Sequence, residues 1–313
     1  MLRKLSISVA ALLIFAVAPA QAGSFSALYA FGDSLSDVGN LFSATGEPAS
    51  PYANGQFSNG PVWVQDLSGF AGLGALGPSN LGGNDYAWGG ATTAATTTSV
   101  VPSVNAQVAQ FLAANHNSAP SNGLYTVWIG ANDLFSILNG SPVTPMAAAQ
   151  SEADAITALA QAGAKTFIVP LVPDLGVTPG VLAAGPAAEA AATSLSLAYN
   201  FALEGDLTGV AGVHFLDTFS LIDNAVQDPG KFGFTDVTDP CYTGTYAGYA
   251  GTPSGTVCTN PNSYLFWDEL HPTAAADAII ADAAWSLVPS PRPGAGLLSL
   301  GLLLLIGMKR KRA

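Results

Sequence analysis

The chain has 313 residues, of which 49% are hydrophobic and only 10% are charged, and this composition excludes an intrinsically disordered chain. Two cysteines are too few for a disulfide scaffold or a cysteine-rich zinc site. The net charge of −12 argues against a nucleic-acid partner, because an acidic surface repels phosphate.

Residues 1–22 have the pattern of a secretory signal peptide. Arg3 and Lys4 precede an apolar core over 5–17, and the Ala-Gln-Ala at 20–22 is a small-x-small cleavage site. An N-terminal membrane anchor is the alternative, but the apolar core is short for one. The pattern therefore predicts export of the chain.

Short apolar runs alternate with stretches of helical periodicity along the rest of the chain. The runs predict strands over Ala27–Phe31, Tyr86–Trp88, Leu124–Ile129, Thr166–Val172 and Val213–Leu216. The periodic stretches predict helices over Val62–Phe70, Val104–Ala114, Met146–Ala162, Pro186–Leu203 and Thr273–Leu287, the last with Thr273 as its N-cap. Asn40–Gly60 and Thr235–Tyr264 are expected to be long surface loops. The alternation predicts a parallel sheet with helices on both faces.

Three short motifs each follow one of these predicted strands, and a fourth motif precedes the last helix. They are GDSLSD at 32–37, GGA at 89–91, GAND at 130–133 and DELHPT at 268–273. Each motif alone is compatible with an ordinary turn. Because ligands of open α/β sheets bind beyond the carboxyl ends of the strands, the four together predict a single site.

These motifs contain the groups that ester hydrolysis requires. Ser34 offers a hydroxyl nucleophile, His271 can accept its proton, and Asp268 can accept a hydrogen bond from the imidazole. The oxyanion could be bound by the backbone N–H groups of Ser34 and Gly90 and by the side-chain amide of Asn132. The Gly-x-Ser-x-Gly elbow of the α/β-hydrolases is absent.

The four motifs resemble the conserved blocks of the GDSL esterase/lipase family, also called SGNH hydrolases. The resemblance covers about residues 27–287, and its secreted bacterial branch is further indicated by the stretches at 52–64, 173–179 and 264–273. It implies a flavodoxin-like three-layer α/β/α fold with a central parallel sheet. It also implies a Ser34, His271 and Asp268 triad, with Asn132 and Gly90, rather than Gly89, as oxyanion donors and with no cofactor or metal.

Two cysteines lie in the glycine-rich and threonine-rich stretch before the DELHPT motif. Export implies an oxidising compartment, in which Cys241 and Cys258 are expected to form a disulfide. Two free buried thiols are the alternative. A bridge here would order the stretch that leads into Asp268 and His271.

Residues 288–313 combine a proline-rich motif, an apolar run over 294–308 and four closing basic residues. A helix over this run would rise about 22 Å, short of a hydrocarbon core of about 30 Å. The basic end predicts a membrane segment with its C-terminus in the cytoplasm, and a buried core helix is the alternative. The tail resembles the PEP-CTERM signals that exosortases process, although Pro-Ser-Pro replaces Pro-Glu-Pro at 289–291.

The sequence thus predicts a signal peptide over 1–22, a hydrolase domain over 23–287 and a membrane-associated tail over 288–313. The expected activity is hydrolysis of a small-molecule, lipid or acylated-polysaccharide ester in the periplasm, at the cell surface or outside the cell. A non-catalytic cell-surface interaction protein that retains the hydrolase fold is the alternative. The complete set of motif residues argues against that alternative, since an inactive scaffold needs none of them.

Overall fold

Four short strands form a parallel sheet at the centre of the computed structural model, which describes residues 25–94, 101–244 and 255–288. The strands are β1 (Leu28–Gly32), β2 (Leu124–Trp128), β3 (Thr166–Pro170) and β4 (Val213–Leu216), and they lie side by side in the order β1-β2-β3-β4. In register, Leu28 lies opposite Leu124, which in turn lies opposite Thr166. All the strands therefore end at the same edge of the sheet.

The helices of the described residues lie between and after these strands. They are α1 (Asn40–Thr45), α2 (Trp63–Phe70), α3 (Val104–Ala114), α4 (Ala131–Leu138), α5 (Pro145–Gln161), α6 (Pro179–Ala184), α7 (Pro186–Asp206), α8 (Thr218–Gln227), α9 (Pro229–Phe232) and α10 (Ala274–Leu287). The hydroxyl of Thr273 accepts a hydrogen bond from the N–H of Ala276 and so begins α10 as predicted.

Alternate residues of each strand face opposite layers of helices, as the period of two in a strand requires. On one face, Phe31, Val127 and Phe167 belong to an apolar core that includes side chains of α3, α5 and α7. On the other face, Ala30 and Ile168 belong to a second core with side chains of α2 and α10. This arrangement confirms the predicted α/β fold with a parallel sheet between two helical layers.

The segment at 86–88, which the sequence predicts as a strand, pairs with β1 but is not a regular strand. Tyr86 and Trp88 donate backbone hydrogen bonds to the carbonyls of Ala30 (2.7 Å) and Gly32 (3.1 Å), so the segment runs along the outer edge of β1. The Asp85 carboxylate accepts a hydrogen bond from the N–H of Ala87 at 3.1 Å, a local contact that is typical of turns. The segment thus lies beside β1 without becoming a strand.

The segment at 40–60 is not the surface loop that its sequence predicts. It begins with α1, and the side chains of Tyr52, Gln56, Phe57 and Ser58 are buried. Ser58 donates a hydrogen bond to the carbonyl of Pro272 at 3.0 Å, so the segment folds back onto the DELHPT motif. Tyr52, Phe57 and Ser58 each contact a residue of the DELHPT motif.

Within the described residues, no helix is both long and apolar enough to cross a membrane. The predicted signal peptide over 1–22 and the apolar run over 294–308 lie outside the described residues.

Candidate active site

Ser34 lies in a tight turn directly after β1. Gly32 has a φ of +150°, and a Cβ at this position would lie 2.1 Å from the carbonyl oxygen of Trp128, so only glycine fits beside β2. The side chain of Gln107 on α3 both accepts from the N–H of Gly32 (2.9 Å) and donates to its carbonyl (2.8 Å). The strand end that carries Ser34 is therefore fixed to the sheet and to α3.

Asp37 connects this turn to the GGA motif. Its carboxylate accepts hydrogen bonds from the backbone N–H groups of Gly39 (2.8 Å), Asn40 (2.6 Å), Leu41 (3.1 Å) and Gly89 (2.8 Å). Burial raises the pKa of Asp37, and these N–H groups oppose that rise by stabilising the carboxylate. The interpretation of Asp37 as a structural residue that bonds turn amides agrees with these contacts.

His271 is hydrogen-bonded on both sides of its ring. Its Nε2 lies 2.8 Å from the Ser34 Oγ, across 237 positions of sequence. Its Nδ1 lies 2.8 Å from Oδ2 and 3.0 Å from Oδ1 of Asp268. All three side chains are buried, with exposed fractions of 5% or less. The structure thus joins a hydroxyl, an imidazole and a carboxylate through consecutive hydrogen bonds.

The carboxylate of Asp268 is held by further donors. The backbone N–H groups of Leu270 (2.8 Å) and His271 (2.6 Å) donate to Oδ1, and the hydroxyl of Tyr52 donates to Oδ2 at 2.6 Å. Burial by itself would raise the pKa of Asp268, but the charge of His271 and these hydrogen bonds outweigh burial and lower it. Asp268 is therefore an ionised hydrogen-bond acceptor for the imidazole.

Asn132 lies in the first turn of α4, and its amide is oriented by a backbone contact. Its Nδ2 donates to the carbonyl of Ala91 at 2.9 Å. The neighbouring Asp133 accepts hydrogen bonds from the backbone N–H (3.0 Å) and the hydroxyl (2.9 Å) of Thr93. The GAND and GGA motifs are thus joined to each other, as Asp37 joins GGA to the Ser34 turn. Asp133, like Asp37, has the structural contacts that its position predicts.

The two adjacent glycines of the GGA motif differ in the hydrogen bonding of their backbone N–H groups. The N–H of Gly89 donates to Asp37, and a Cβ on Gly89 would lie 2.4 Å from the ring of Phe57. Gly90 is exposed with a φ of +78°, and in the described part of the chain its N–H donates no hydrogen bond. Gly90 therefore has the available donor of the pair.

An apolar cavity that opens to solvent lies beside Ser34 and Asn132. Its wall is formed by side chains from several elements: Leu35, Trp128, Ala131, Pro173, Leu175, Ile222, Phe266, Leu270, Pro272 and Ile280. A cavity with this largely apolar wall suits a hydrocarbon group.

Asp33 also contacts this cavity, although its carboxyl is 1% exposed. Its Oδ1 accepts from the N–H of Leu35 at 3.0 Å, whereas its Oδ2 has no hydrogen-bond partner among the described residues. Burial raises the pKa of Asp33 to about 7, against the smaller opposing effects of the Leu35 hydrogen bond and the charge of His271. Ser34 thus has a largely protonated acid as its neighbour below pH 7.

A disulfide joins Cys241 and Cys258. The backbone N–H groups of Cys241 and Tyr242 donate to the carbonyls of Phe266 (3.1 Å) and Trp267 (2.6 Å), which directly precede Asp268. The disulfide-linked segment is therefore hydrogen-bonded to the residues that directly precede Asp268, as its position in the sequence suggests.

Sequence reasoning missed Tyr52, Phe57 and Asp33 as parts of this site. The ring of Phe57 lies 5.0 Å from the ring of His271, centroid to centroid. The family-like stretch at 52–64 was a signal for the first two, but nothing in it indicated a contact with Asp268. Asp33 belongs to the GDSL motif itself, and its burial depends on packing that the sequence does not display.

The family model described as GDSL-like Lipase/Acylhydrolase matches residues 28–284, so the chain belongs to this family. Membership supports ester hydrolysis as its class of activity. A phosphatidylcholine-sterol acyltransferase of Aeromonas hydrophila is 27% identical, over 85% of this chain and 91% of that protein. A thermolabile hemolysin of Vibrio parahaemolyticus is also 27% identical, over 81% of this chain and 61% of the hemolysin. A lipolytic G-D-S-L family structure from Veillonella parvula is 14% identical, with a TM-score of 0.47, over 83% of this chain and 97% of that one.

Proposed function

We propose that the chain is an exported serine esterase or lipase that hydrolyses carboxylic esters through an acyl-enzyme intermediate. The observation that carries this proposal is the pair of 2.8 Å contacts that His271 makes with the Ser34 Oγ and with Asp268 Oδ2. A hydroxyl paired with a base, which is itself oriented by a third group, is the arrangement that activates a nucleophile.

In the first half of the reaction, the Ser34 Oγ attacks the acyl carbon while His271 Nε2 takes the hydroxyl proton. The N–H groups of Ser34 and Gly90 and the amide of Asn132 stabilise the negative charge on the acyl oxygen. Protonated His271 then gives its proton to the departing alcohol, which leaves an acyl group on Ser34. In the second half, His271 deprotonates a water molecule, which attacks the acyl group. Protonated His271 then returns the proton to the Ser34 Oγ as the acyl–oxygen bond breaks and the acid is released.

The apolar cavity favours an ester whose acyl part is hydrocarbon. Its position beside Ser34 and Asn132 allows an acyl chain to enter it while the acyl oxygen stays near the donors. Lipid esters fit this wall better than O-acetyl groups on a polysaccharide, which need little apolar space. Turnover of aryl esters of increasing acyl length should rise beyond acetate, and a maximum at acetate would contradict this assignment.

Export, membrane attachment through 288–313 and exosortase-type processing complete the proposal. They are supported by the charge and hydropathy patterns of 1–22 and 288–313. The cellular location follows from these patterns: the catalytic domain is outside the cytoplasm, in the periplasm, at the surface or released. Fractionation of cells and mass measurement of the mature protein would test each part.

Labelling with a serine-reactive phosphonate tests the catalytic proposal. The wild-type chain should be labelled at Ser34 and lose esterase activity, and Ser34→Ala should be neither labelled nor active while melting at the wild-type temperature. Ser36→Ala is the control for loss of a nearby hydroxyl and should still be labelled. An unlabelled, inactive wild-type chain would favour the non-catalytic surface protein instead.

A further inference from the structure

Tyr52 donates its hydroxyl hydrogen to Oδ2 of Asp268 at 2.6 Å, the same oxygen that lies 2.8 Å from His271 Nδ1. We infer that Tyr52 is a positioning residue, which acts on the reaction by fixing the Asp268 carboxylate against the imidazole. This inference rests on the proposed function. It adds a fourth residue to the hydrogen-bonded line of Ser34, His271 and Asp268.

The Tyr52–Asp268 hydrogen bond joins two residues that are far apart in the sequence. Tyr52 is 216 positions from Asp268 and reaches it from the segment at 40–60 that folds back onto the DELHPT motif. Its side chain is 8% exposed, so water does not compete freely for the hydroxyl. A hydrogen bond to a charged, buried acceptor is stronger than one between neutral groups.

Aromatic packing holds the Tyr52 ring in place. Its centroid lies 5.7 Å from that of Tyr242 and 6.3 Å from that of Trp267, both in edge-to-face geometry. Tyr242 stacks on Trp267 at 5.8 Å, and Tyr242 directly follows the disulfide residue Cys241. The three rings thus link the disulfide to the Asp268 carboxylate through the Tyr52 hydroxyl.

The two oxygens of Asp268 are held from different directions. Oδ1 is fixed by backbone N–H groups of its own segment, at Leu270 and His271. Oδ2 receives its hydrogen bonds from the Tyr52 hydroxyl and the imidazole. Without the hydroxyl, the carboxylate plane is constrained on one side only, and more negative charge remains on the oxygen that faces Nδ1.

This charge distribution predicts a pH effect. The hydroxyl withdraws negative charge from Oδ2, so its removal should strengthen the attraction between Asp268 and protonated His271 and move the acidic limb of kcat/KM to higher pH. The other groups facing His271 are the carboxyl of Asp33 and the hydroxyl of Ser34. Glu269, on the same segment, has an exposed side chain. All of these groups are the same in the two tyrosine variants compared below.

The chain offers a matched pair of Tyr→Phe substitutions. Tyr52→Phe removes the hydroxyl on Asp268, whereas Tyr242→Phe removes a buried hydroxyl that has no hydrogen-bond partner among the described residues. Both rings belong to the same cluster, and each substitution removes a hydroxyl and keeps the ring. Because the described wall of the cavity does not include Tyr52, its variant should change kcat and leave KM within twofold.

We expect Tyr52→Phe to lower kcat about tenfold, because a less constrained Asp268 carboxylate orients the imidazole less well. Its acidic limb should move upward by about half a pH unit. Tyr242→Phe should keep the wild-type kcat and pH profile. A Tyr52→Phe enzyme with the wild-type kcat and limb would overturn the inference, as would a loss of kcat that Tyr242→Phe shares.

A double-mutant cycle with Asp268→Asn decides how Tyr52 acts. If Tyr52 works through the carboxylate, Tyr52→Phe should have less than a twofold effect on kcat in the Asp268→Asn background. A full tenfold effect there would contradict the inference and assign Tyr52 a role in general packing. Ser34→Ala, assayed in parallel, separates the two proposals, because activity that survives it would overturn the proposed function and this inference with it.

Discussion

The two halves of the candidate site are held in place in different ways. The nucleophile turn, residues 32–40, continues the edge strand β1 and is fixed by Gln107 on α3 and by the backbone bonds of Asp37. The base loop, residues 264–273, lies outside the sheet and is fixed by a disulfide-linked segment and by Tyr52. The first half belongs to the core of the fold, whereas the second depends on contacts between distant parts of the chain.

This difference separates stability from catalysis. Removing the Asp37 carboxylate, which anchors the nucleophile turn, should reduce the free energy of unfolding, whereas removing the Ser34 hydroxyl should cost rate alone. A change in the base loop should move His271 or Asp268 by a small distance, which costs rate before it costs stability. The predictions below test this separation.

The largest expected effect comes from substitutions in the base loop, which should lower kcat and leave the melting temperature near that of wild type. His271→Ala should be as inactive as Ser34→Ala, a loss of about 10⁴-fold or more in kcat, because the proton acceptor is gone. Asp268→Asn should be equally or less severe, since Asp268 orients and stabilises the imidazole without taking its proton. Steady-state kinetics with melting curves check both variants, and a melting temperature far below that of wild type would contradict the separation.

Asp37→Ala should have the opposite profile. It removes the acceptor for four backbone N–H groups in the nucleophile turn and the GGA motif, and we expect a loss of about 4 kcal/mol in the free energy of unfolding. Urea denaturation measures this loss. Asp154→Ala, at an exposed position on α5, is the control and should stay within about 0.5 kcal/mol of wild type. An Asp37→Ala protein of wild-type stability would remove the distinction between the halves.

Reduction of the disulfide should weaken the base loop first. The bridge closes a loop with a sequence separation of 17, for which the chain-entropy model gives about 3 kcal/mol. Because Cys241 and Tyr242 bond to the segment that precedes Asp268, the reduced protein should lose activity at 25 °C, where it is still folded, although the loss of about 3 kcal/mol lowers its melting temperature by several degrees. A Cys241→Ser, Cys258→Ser double variant should show the same loss without reductant. Full activity of the reduced protein would show that the bridge does not support His271.

The smallest expected effect concerns pH and Asp33 in the nucleophile turn. Its pKa is raised to about 7 in the folded chain, so between roughly pH 4 and pH 7 the folded state holds a proton that the unfolded state has lost. Stability should therefore fall as pH rises through this window and level off above pH 7. The contribution of Asp33 between pH 5 and pH 7 is about 2 kcal/mol.

Asp33→Asn isolates this contribution, because the other buried carboxyls with raised pKa values, such as Asp85 and Asp277, remain. Its melting temperature should change less between pH 5 and pH 7 than that of wild type. Parallel curves for the two proteins would show that Asp33 keeps an ordinary pKa.

The sequence predicted the nucleophile turn better than the base loop. A strand that ends at Gly32 dictates where Ser34 lies, and the parallel sheet brings the GAND motif to the same edge. The side chain that reaches Asp268 could not be predicted, since Tyr52 is 216 positions away and its segment has the composition of a loop. The start of α4 at Ala131 was likewise missed, because Gly-Ala-Asn-Asp has the composition of a turn. Local patterns specify local structure, whereas these contacts depend on the whole fold.

The apolar cavity beside Ser34 has a consequence for engineering and for evolutionary drift. Ile222 on α8 and Phe266 in the base loop both face this space, yet neither is a hydrogen-bond partner of the reacting groups. Exchanging Ile222 for a smaller or larger residue remodels the room for an acyl chain and leaves the serine and imidazole untouched. Under the proposed function, the preference for acyl chain length can therefore change one wall residue at a time, without a change in Ser34 or His271.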